Sequence, residues 1–431
     1  MKLRVLVIGS GGREDALCHK ISQSTLLEKL YCIPGNPGTA RWAENISIKI
    51  SDFSLIKNFC VEKKIDLVVV GPEAPLVDGI VDYLSDAGIK VFGPDKFAAQ
   101  IEGSKSFAKE LMKKKNVPTA SFRKFSIVQK EEVLKYLQHL KYPVVFKVDG
   151  LAAGKGVTIC YRFNSAEETI KEIFDEKKFG DAGNTIIVEE FLEGEEFSVF
   201  AITDGKNYKV LTPAQDYKRV GDNDTGKNTG GMGSYSFSEL LTNDEIDVIK
   251  KSIIEPILES LRELNHPYKG CLYCGLIKTN DGIKVIEFNC RFGDPETQAV
   301  LQTIKSDFLE LLWLAVNNDL SNYELKTEGK AVCLVLASNG YPEKFKSGFE
   351  ISGLDEIDDD ELIIYHAGTK YFDNKIITNG GRVLNIVAHS SKTTFYDLIK
   401  KVYSAASKID FENKYFRKDI GLRGLKKLRI E

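Results

Sequence analysis

Four short apolar runs in the first hundred residues, each closing on glycine or proline, leave this chain few ways to fold. They are VLVIG (5–9), KLYCIPGN (29–36), KIDLVVVGPEAPL (64–76) and KVFGP (90–94). Helical spacing separates them, at 15–22, 55–63 and 79–87. The runs are apolar without alternation, so both faces of each strand are covered. That pattern belongs to a parallel sheet with helices on both sides. The loops GSGGR, PGN and GPEAP then follow strand C-termini, the edge where open α/β sheets bind ligands. The first loop is not a dinucleotide fingerprint. G-x-G-x-x-G starting at Gly9 needs glycine at position 14, which is Glu14, and a side chain that large opposes the close helix–strand packing the third glycine provides. The loop still opens a helix, with Gly11, Gly12 and Arg13 placed to cradle an anion.

Composition narrows the function classes. Over 431 residues the net charge is −3, so no global basic field recruits nucleic acid or an anionic membrane. No apolar run approaches the ~20 residues of a membrane span. The N-terminal MKLRVLVIGSGG reads as a strand rather than a signal peptide, and a cytoplasmic protein is expected. The eight cysteines are scattered, as small core hydrophobes in a reducing compartment are. Cys271 and Cys274 form a C-x-x-C, but no second pair completes a zinc site, and residues three apart on a strand face opposite ways. The five histidines are equally dispersed, which argues against a His-based metal centre.

Beyond residue 101 the pattern changes. A lysine-rich helix (SKSFAKELMKKKN) ends at Val117-Pro118, and from 144 strand signals surround the glycine-rich turn LAAGKGV (151–157). A helix is expected over 165–177 and another over 243–264, with paired strands LYCGLIKT and GIKVIEFN around Asp281-Gly282. The last hundred residues begin with the strand AVCLVLAS (331–338) and close with a helix near 393–408. The acidic run 355–361 and the basic tail RKDIGLRGLKKLRIE are expected to be solvated surface.

Three stretches carry chemistry. LAAGKGV fails the Walker pattern, because Gly150 and Gly154 are four apart and Lys155 precedes Gly156. A glycine-rich turn between strands can instead fold its N–H groups over phosphates. Lys147, inside the buried strand PVVFKVDG, needs an anionic partner to offset its desolvation. VEEFLEGEEFS (188–198) is strand, break, strand, a link able to offer backbone groups to a base and a carboxylate to a ribose. In VIEFNCRFGDPE (285–296), Glu287 and Asn289 share one strand face. A carboxylate and an amide oxygen together are hard ligands suited to Mg²⁺ beside phosphate oxygens, and Arg291 continues that face as a fixed positive charge. Ile286, Phe288 and Cys290 are expected to be buried on the other face. Assembled, these features describe a nucleotide between two lobes.

The chain resembles the ATP-grasp ligases, and within them the phosphoribosylamine–glycine ligase family of purine biosynthesis. The motifs are GSGGRE (9–14), PGNPGTA (34–40), VVGPEAPLVDG (69–79), EGSK (102–105), DGLAAGKGV (149–157), EEFLEGEE (189–196), TPAQDYKRVGDNDTGKNTGGMG (212–233), VIEFNCRFGDPETQ (285–298), YHAGT (365–369), TNGGRVL (378–384) and RKDIG (417–421). The resemblance implies an α/β chain with a Rossmann-like parallel-sheet domain (1–101), a two-lobed ATP-grasp domain (102–330, with about 120–190 as a mobile lid) and a small, mainly β C-terminal domain (331–431). It implies ligation of glycine to 5-phospho-β-D-ribosylamine with ATP, through a glycyl phosphate, by a monomer or weak homodimer that uses Mg²⁺ or Mn²⁺. Lys105, Lys147, Gly154, Lys155 and Gly156 would meet the phosphates. Glu189, Glu190, Phe191 and Leu192 would hold adenine, Glu196 the ribose, and Asn228 would join the nucleotide site. Glu287 and Asn289 would hold the metal. Arg291 would stabilise transferring charge or hold the glycyl carboxylate, with Asp216 and Lys218 on the glycine or phosphate side. Gly11, Gly12, Arg13, Asn36, Pro72 and Glu73 would contact phosphoribosylamine, the glycine loop taking its sugar phosphate. Three positions depart from the family pattern: Asp15 for histidine, Lys227 for proline, and Cys274 for a small apolar residue. Asp15 is expected either to touch substrate or to sit on the first-turn surface, where it suits the helix dipole.

Overall fold

The computed structural model describes residues 2–151 and 156–428. Gly154 and Lys155 lie outside them. The N-terminal sheet is wholly parallel, in the order Glu44–Asn45, Leu27–Pro34, Leu3–Gly9, Leu67–Val70, Lys90–Phe92. Its central strand shows why the apolar runs do not alternate. Leu6 and Ile8 enter one hydrophobic core while Val5 and Val7 enter another on the opposite face, all fully buried. Each such side chain contributes about 1.5–3 kcal/mol. The helix after it, Gly12–Ser22, begins three residues earlier than the spacing indicates. Glu14 fills the room left by two glycines: a Cβ on Gly9 or Gly71 would lie within 2.4 Å of its side chain. The expected helix over 79–87 is instead two, Glu73–Asp78 and Ile80–Ser85, broken where Gly79 adopts φ +96°.

A four-stranded antiparallel sheet follows, ordered Phe122–Ser126, Thr185–Glu190, Val144–Val148, Val157–Cys160. It has its own core around Phe125, Phe146, Val148 and Ile186. Apart from two small hairpins, Arg219–Gly221 with Thr225–Asn228 and Thr369–Phe372 with Lys375–Thr378, the remaining strands build one ten-stranded antiparallel sheet, in which Tyr208–Val210 and Lys414–Tyr415 pair off the main path. Its path runs Gly282–Asn289, Lys269–Thr279, Glu195–Asp204, Ala214–Asp216, Gly233–Ser236, Lys330–Ser338, Arg382–Ser390, Leu362–His366. Most C-terminal strands therefore extend the central sheet, and only the hairpin of Thr369–Phe372 with Lys375–Thr378 stands apart from it. The helix expected over 243–264 runs unbroken from Asn243 to Glu263 but carries a π-turn at Lys250–Ile254. Pro256, which has no N–H and would crowd the carbonyl one turn back, accounts for that widening.

Cys271 and Cys274 are buried in different cores, on opposite faces of their strand. Among the described residues no group of three or more His, Cys, Asp or Glu could hold a metal, and no helix is long and apolar enough to cross a membrane.

Candidate active site

A cavity of about 1240 Å³ lies where the three sheets converge. Lys147 reaches it from the strand Val144–Val148 of the four-stranded sheet. Its ammonium stands 3.0 Å from Glu189 and donates to the Ile286 carbonyl at 2.9 Å. The anion that a strand-buried lysine requires is thus supplied by the neighbouring strand. Glu189 also faces Lys109 at 3.1 Å, an ion contact whose angle is not that of a hydrogen bond. Burial pushes the Lys109 ammonium down to about 8. Lys109 was not singled out by the sequence motifs, although it lies four residues after Lys105 on the helix Lys105–Lys114 and so shares its face. Lys105 donates to the Gly150 carbonyl at 2.9 Å, and burial lowers its pKa.

Beyond this cation cluster, Glu190, Phe191, Leu192, Glu196, Gly156 and Asn228 also line the cavity. Glu190 is exposed and accepts the Ser121 N–H. Lys218 lies 2.7 Å from Glu196 and holds that carboxyl below its usual range. Burial pushes the Asp216 carboxyl up to about 7, against the pull of Lys218 and with the help of Glu296.

Glu287 and Asn289 project together into the cavity from the strand Gly282–Asn289. Among the described residues neither side chain has a hydrogen-bond or ion-pair partner. Two free hard-oxygen donors flanked by ammonium groups fit a divalent cation that is completed by phosphate oxygens. The opposite face departs from expectation. Phe288 and Cys290 are buried, but Ile286 sits at a β-bulge opposite Gly275/Leu276, half-buried, and lines the cavity.

Arg291 is held on three sides. Its guanidinium donates to Glu73 at 3.1 Å, Glu102 at 2.9 Å and the Phe292 carbonyl at 3.2 Å. Glu102 also accepts the Cys290 N–H at 2.8 Å. The motif EGSK contains Glu102, but nothing in its spacing marks it as the arginine's partner 189 residues away.

The residues expected to meet the sugar phosphate divide between two cavities. Arg13, Pro72 and Glu73 line the large one. Gly11 and Asn36 line a second, of about 700 Å³. Gly12 lines neither, because it packs against Asn385 and Gln298. Asn36 is spent on the backbone, donating to Ser10 and His366 and accepting from Gly38 and Thr39. Glu14 accepts the Gly11 N–H at 2.6 Å and pairs with Arg13 at 2.6 Å. Asp15 fits neither expectation. It is fully buried, accepting from Arg41 (3.0 Å), Trp42 (3.0 Å) and the His366 N–H (2.8 Å).

The basic tail is not solvated surface throughout. Arg417 is fully buried, forked onto Asp419 and paired with Asp224, while Arg423, Lys426 and Lys427 line the large cavity. Sequence gave these charges no address, since the loop they anchor lies about 200 residues away. Likewise Asp359 and Glu361 in the acidic run pair with Lys401.

Comparison with known proteins accounts for this arrangement. Family models described as phosphoribosylglycinamide synthetase N domain, ATP-grasp (A) domain and C domain match residues 3–102, 103–297 and 331–423. The chain belongs to the phosphoribosylglycinamide synthetase family. Similar family members include the phosphoribosylamine–glycine ligase of Caldanaerobacter subterraneus subsp. tengcongensis, 47% identical over 97% of this chain and 99% of that one. That of Leptospira interrogans is 43% identical over 99% of this chain and all of its own length. The crystal structure of the phosphoribosylamine–glycine ligase of Thermotoga maritima superposes with TM-score 0.84 at 31% identity, covering 97% of this chain and 100% of that one. In this synthetase family chain the ATP-grasp match therefore spans both the four-stranded sheet and the strand bearing Glu287 and Asn289.

Proposed function

We propose that this protein ligates glycine to 5-phospho-β-D-ribosylamine with ATP, giving glycinamide ribonucleotide, ADP and phosphate. The observation that carries this reading is that one cavity joins the buried lysines and Glu287–Asn289 to Arg13 and Glu73 of the N-terminal sheet, so a nucleotide and a second anionic substrate can share one enclosed volume. Full-length similarity to phosphoribosylamine–glycine ligases supports it.

The chemistry follows from the problem it solves. Glycine's carboxylate is resonance-stabilised and has no leaving group. Transfer of the γ-phosphoryl makes an acyl phosphate, which the ribosylamine nitrogen attacks. Phe191, Leu192 and the backbone of Glu189–Glu190 stand at the hinge between lid and central sheet, where they hold adenine. Glu196 holds the ribose, and Asn228 closes the nucleotide side. Lys105 and Lys147, with Gly154, Lys155 and Gly156, balance the phosphates. Glu287 and Asn289 hold Mg²⁺ or Mn²⁺, which when bound neutralises phosphate charge. Arg291, fixed by Glu73 and Glu102, keeps a positive charge beside the transferring group, while Asp216 and Lys218 serve the glycine side. The lid spanning about 120–190 screens the glycyl phosphate from water. The second cavity, bounded by the glycine loop, takes the phosphoribosylamine end. We place this chemistry in the cytoplasm, in a monomer or weak homodimer.

The test is ADP release dependent on both glycine and freshly made phosphoribosylamine. Turnover with another carboxylic acid and none with glycine would point instead to another ATP-grasp ligase.

A further inference from the structure

Among the described residues only Asp294, Tyr341 and Arg382 line both cavities. They form the partition between the side that holds the nucleotide phosphates and the side that holds the glycine loop. Asp294 is pinned there. Its Oδ1 accepts from Gln298 Nε2 at 2.8 Å, and its Oδ2 lies 3.2 Å from Arg382 Nη2. Oδ2 also faces the first loop: a Cβ placed on Gly11 would stand 3.5 Å from it. Arg382 is itself fixed, because Nη1 donates to the carbonyls of Gly230 and Asp294 at 2.7 Å each. The Tyr341 hydroxyl accepts the Gly230 N–H at 2.9 Å.

We propose that this partition is where the phosphoribosylamine nitrogen meets the glycyl phosphate, and that Asp294 is the catalytic base of that step. The inference rests on the ligation reading above. An acyl phosphate made in the larger cavity and an amine whose sugar-phosphate end lies in the smaller one meet where the two adjoin. The neutral amine's lone pair attacks the glycyl carbonyl carbon and the C–N bond forms. The C–O bond to phosphorus-bearing oxygen breaks, and phosphate leaves with that electron pair. The nitrogen, cationic after attack, gives one proton to the Asp294 carboxylate, which releases it to phosphate or solvent. No redox change occurs. The other carboxylates facing the larger cavity are placed differently. Glu73, Glu102, Glu196, Asp216 and Glu296 line the larger cavity but not the second. Among the described residues Asp294 is the only carboxylate on both sides, and its two fixed oxygens give it the orientation general base catalysis needs.

The experiment compares the full-length protein with Asp294→Asn and Asp294→Glu, following ADP and amide product separately. For Asp294→Asn, amide formation should fall about 100-fold or more, with KM for ATP and glycine within about threefold of the parent. ADP should then exceed amide, because stranded glycyl phosphate hydrolyses. Asp294→Glu, which keeps a base, should recover at least about tenfold of the loss. Amide formation by the Asn variant within about tenfold of the parent would overturn the proposal. So would loss of turnover together with a rise of more than about tenfold in KM for ATP and glycine, which marks a structural role. If the parent itself releases no ADP with glycine and phosphoribosylamine, it is the ligation reading that falls.

Discussion

Asp15→Asn should change the pH dependence of stability in a direction fixed by one competition. Burial favours the neutral carboxyl, whereas Arg41 favours the charged one. Burial is the larger effect: the Arg41 side chain is 38% exposed and its charge is partly screened, while Asp15 is fully enclosed. The carboxyl is accordingly pushed from the ordinary 3.8 up to about 6. At about 1.4 kcal/mol per pH unit this is worth about 3 kcal/mol. The folded chain holds the proton more tightly than the unfolded one. That contribution is complete below about pH 4 and is lost as pH rises through 6. Asparagine cannot titrate, so it does not suffer this loss. Whatever the offset between the two proteins at pH 4, the stability of the variant relative to the parent should rise by about 3 kcal/mol by pH 8. Urea unfolding of both proteins at pH 4, 6 and 8 measures this, and subtraction removes every other titration they share. Parallel pH profiles would refute the reasoning. A difference moving the other way would mean that Arg41 outweighs burial.

Glu287→Gln removes the charged member of the proposed metal pair. Turnover should fall about 100-fold or more, with Mg²⁺ activation displaced to higher concentration; near-parent rates at saturating Mg²⁺ would count against the assignment. Gly71→Ala places a Cβ 2.1 Å from the Glu14 carboxylate, which is buried and cannot move without abandoning Gly11 and Arg13. It should cost about 1–3 kcal/mol, read as a lowered Tm, and an unchanged melt would show that Glu14 has another place to go.

The parts of this molecule that were legible in the sequence are those whose determinants are local. Val5 to Ile8 announce a strand buried on both faces because neighbouring residues must all be apolar to fill two cores. Glu287 and Asn289 announce a shared face because strand geometry places residues two apart on the same side whatever surrounds them. The Ile286 bulge went unseen because it depends on how this strand registers against Lys269–Thr279. Charges pose a harder problem. A lysine in a buried strand requires an anion, and that argument holds for Lys147, yet it is silent on which anion. Glu189 satisfies it within the protein.

Glu102 and the tail residue Arg417 show the converse: each looks like ordinary surface charge until a partner about 190 residues away encloses it. Desolvation thus predicts pairing but not the pair. A buried cation in a sequence is evidence of an anion, and only the assembled neighbours decide whether that anion is a substrate. At Lys147 both answers can hold in turn, since a phosphate entering the cavity meets an ammonium already shared between Glu189 and the Ile286 carbonyl. Binding there is an exchange of partners rather than the filling of an empty place. The affinity it yields is then the difference between two buried pairings, not the full strength of either.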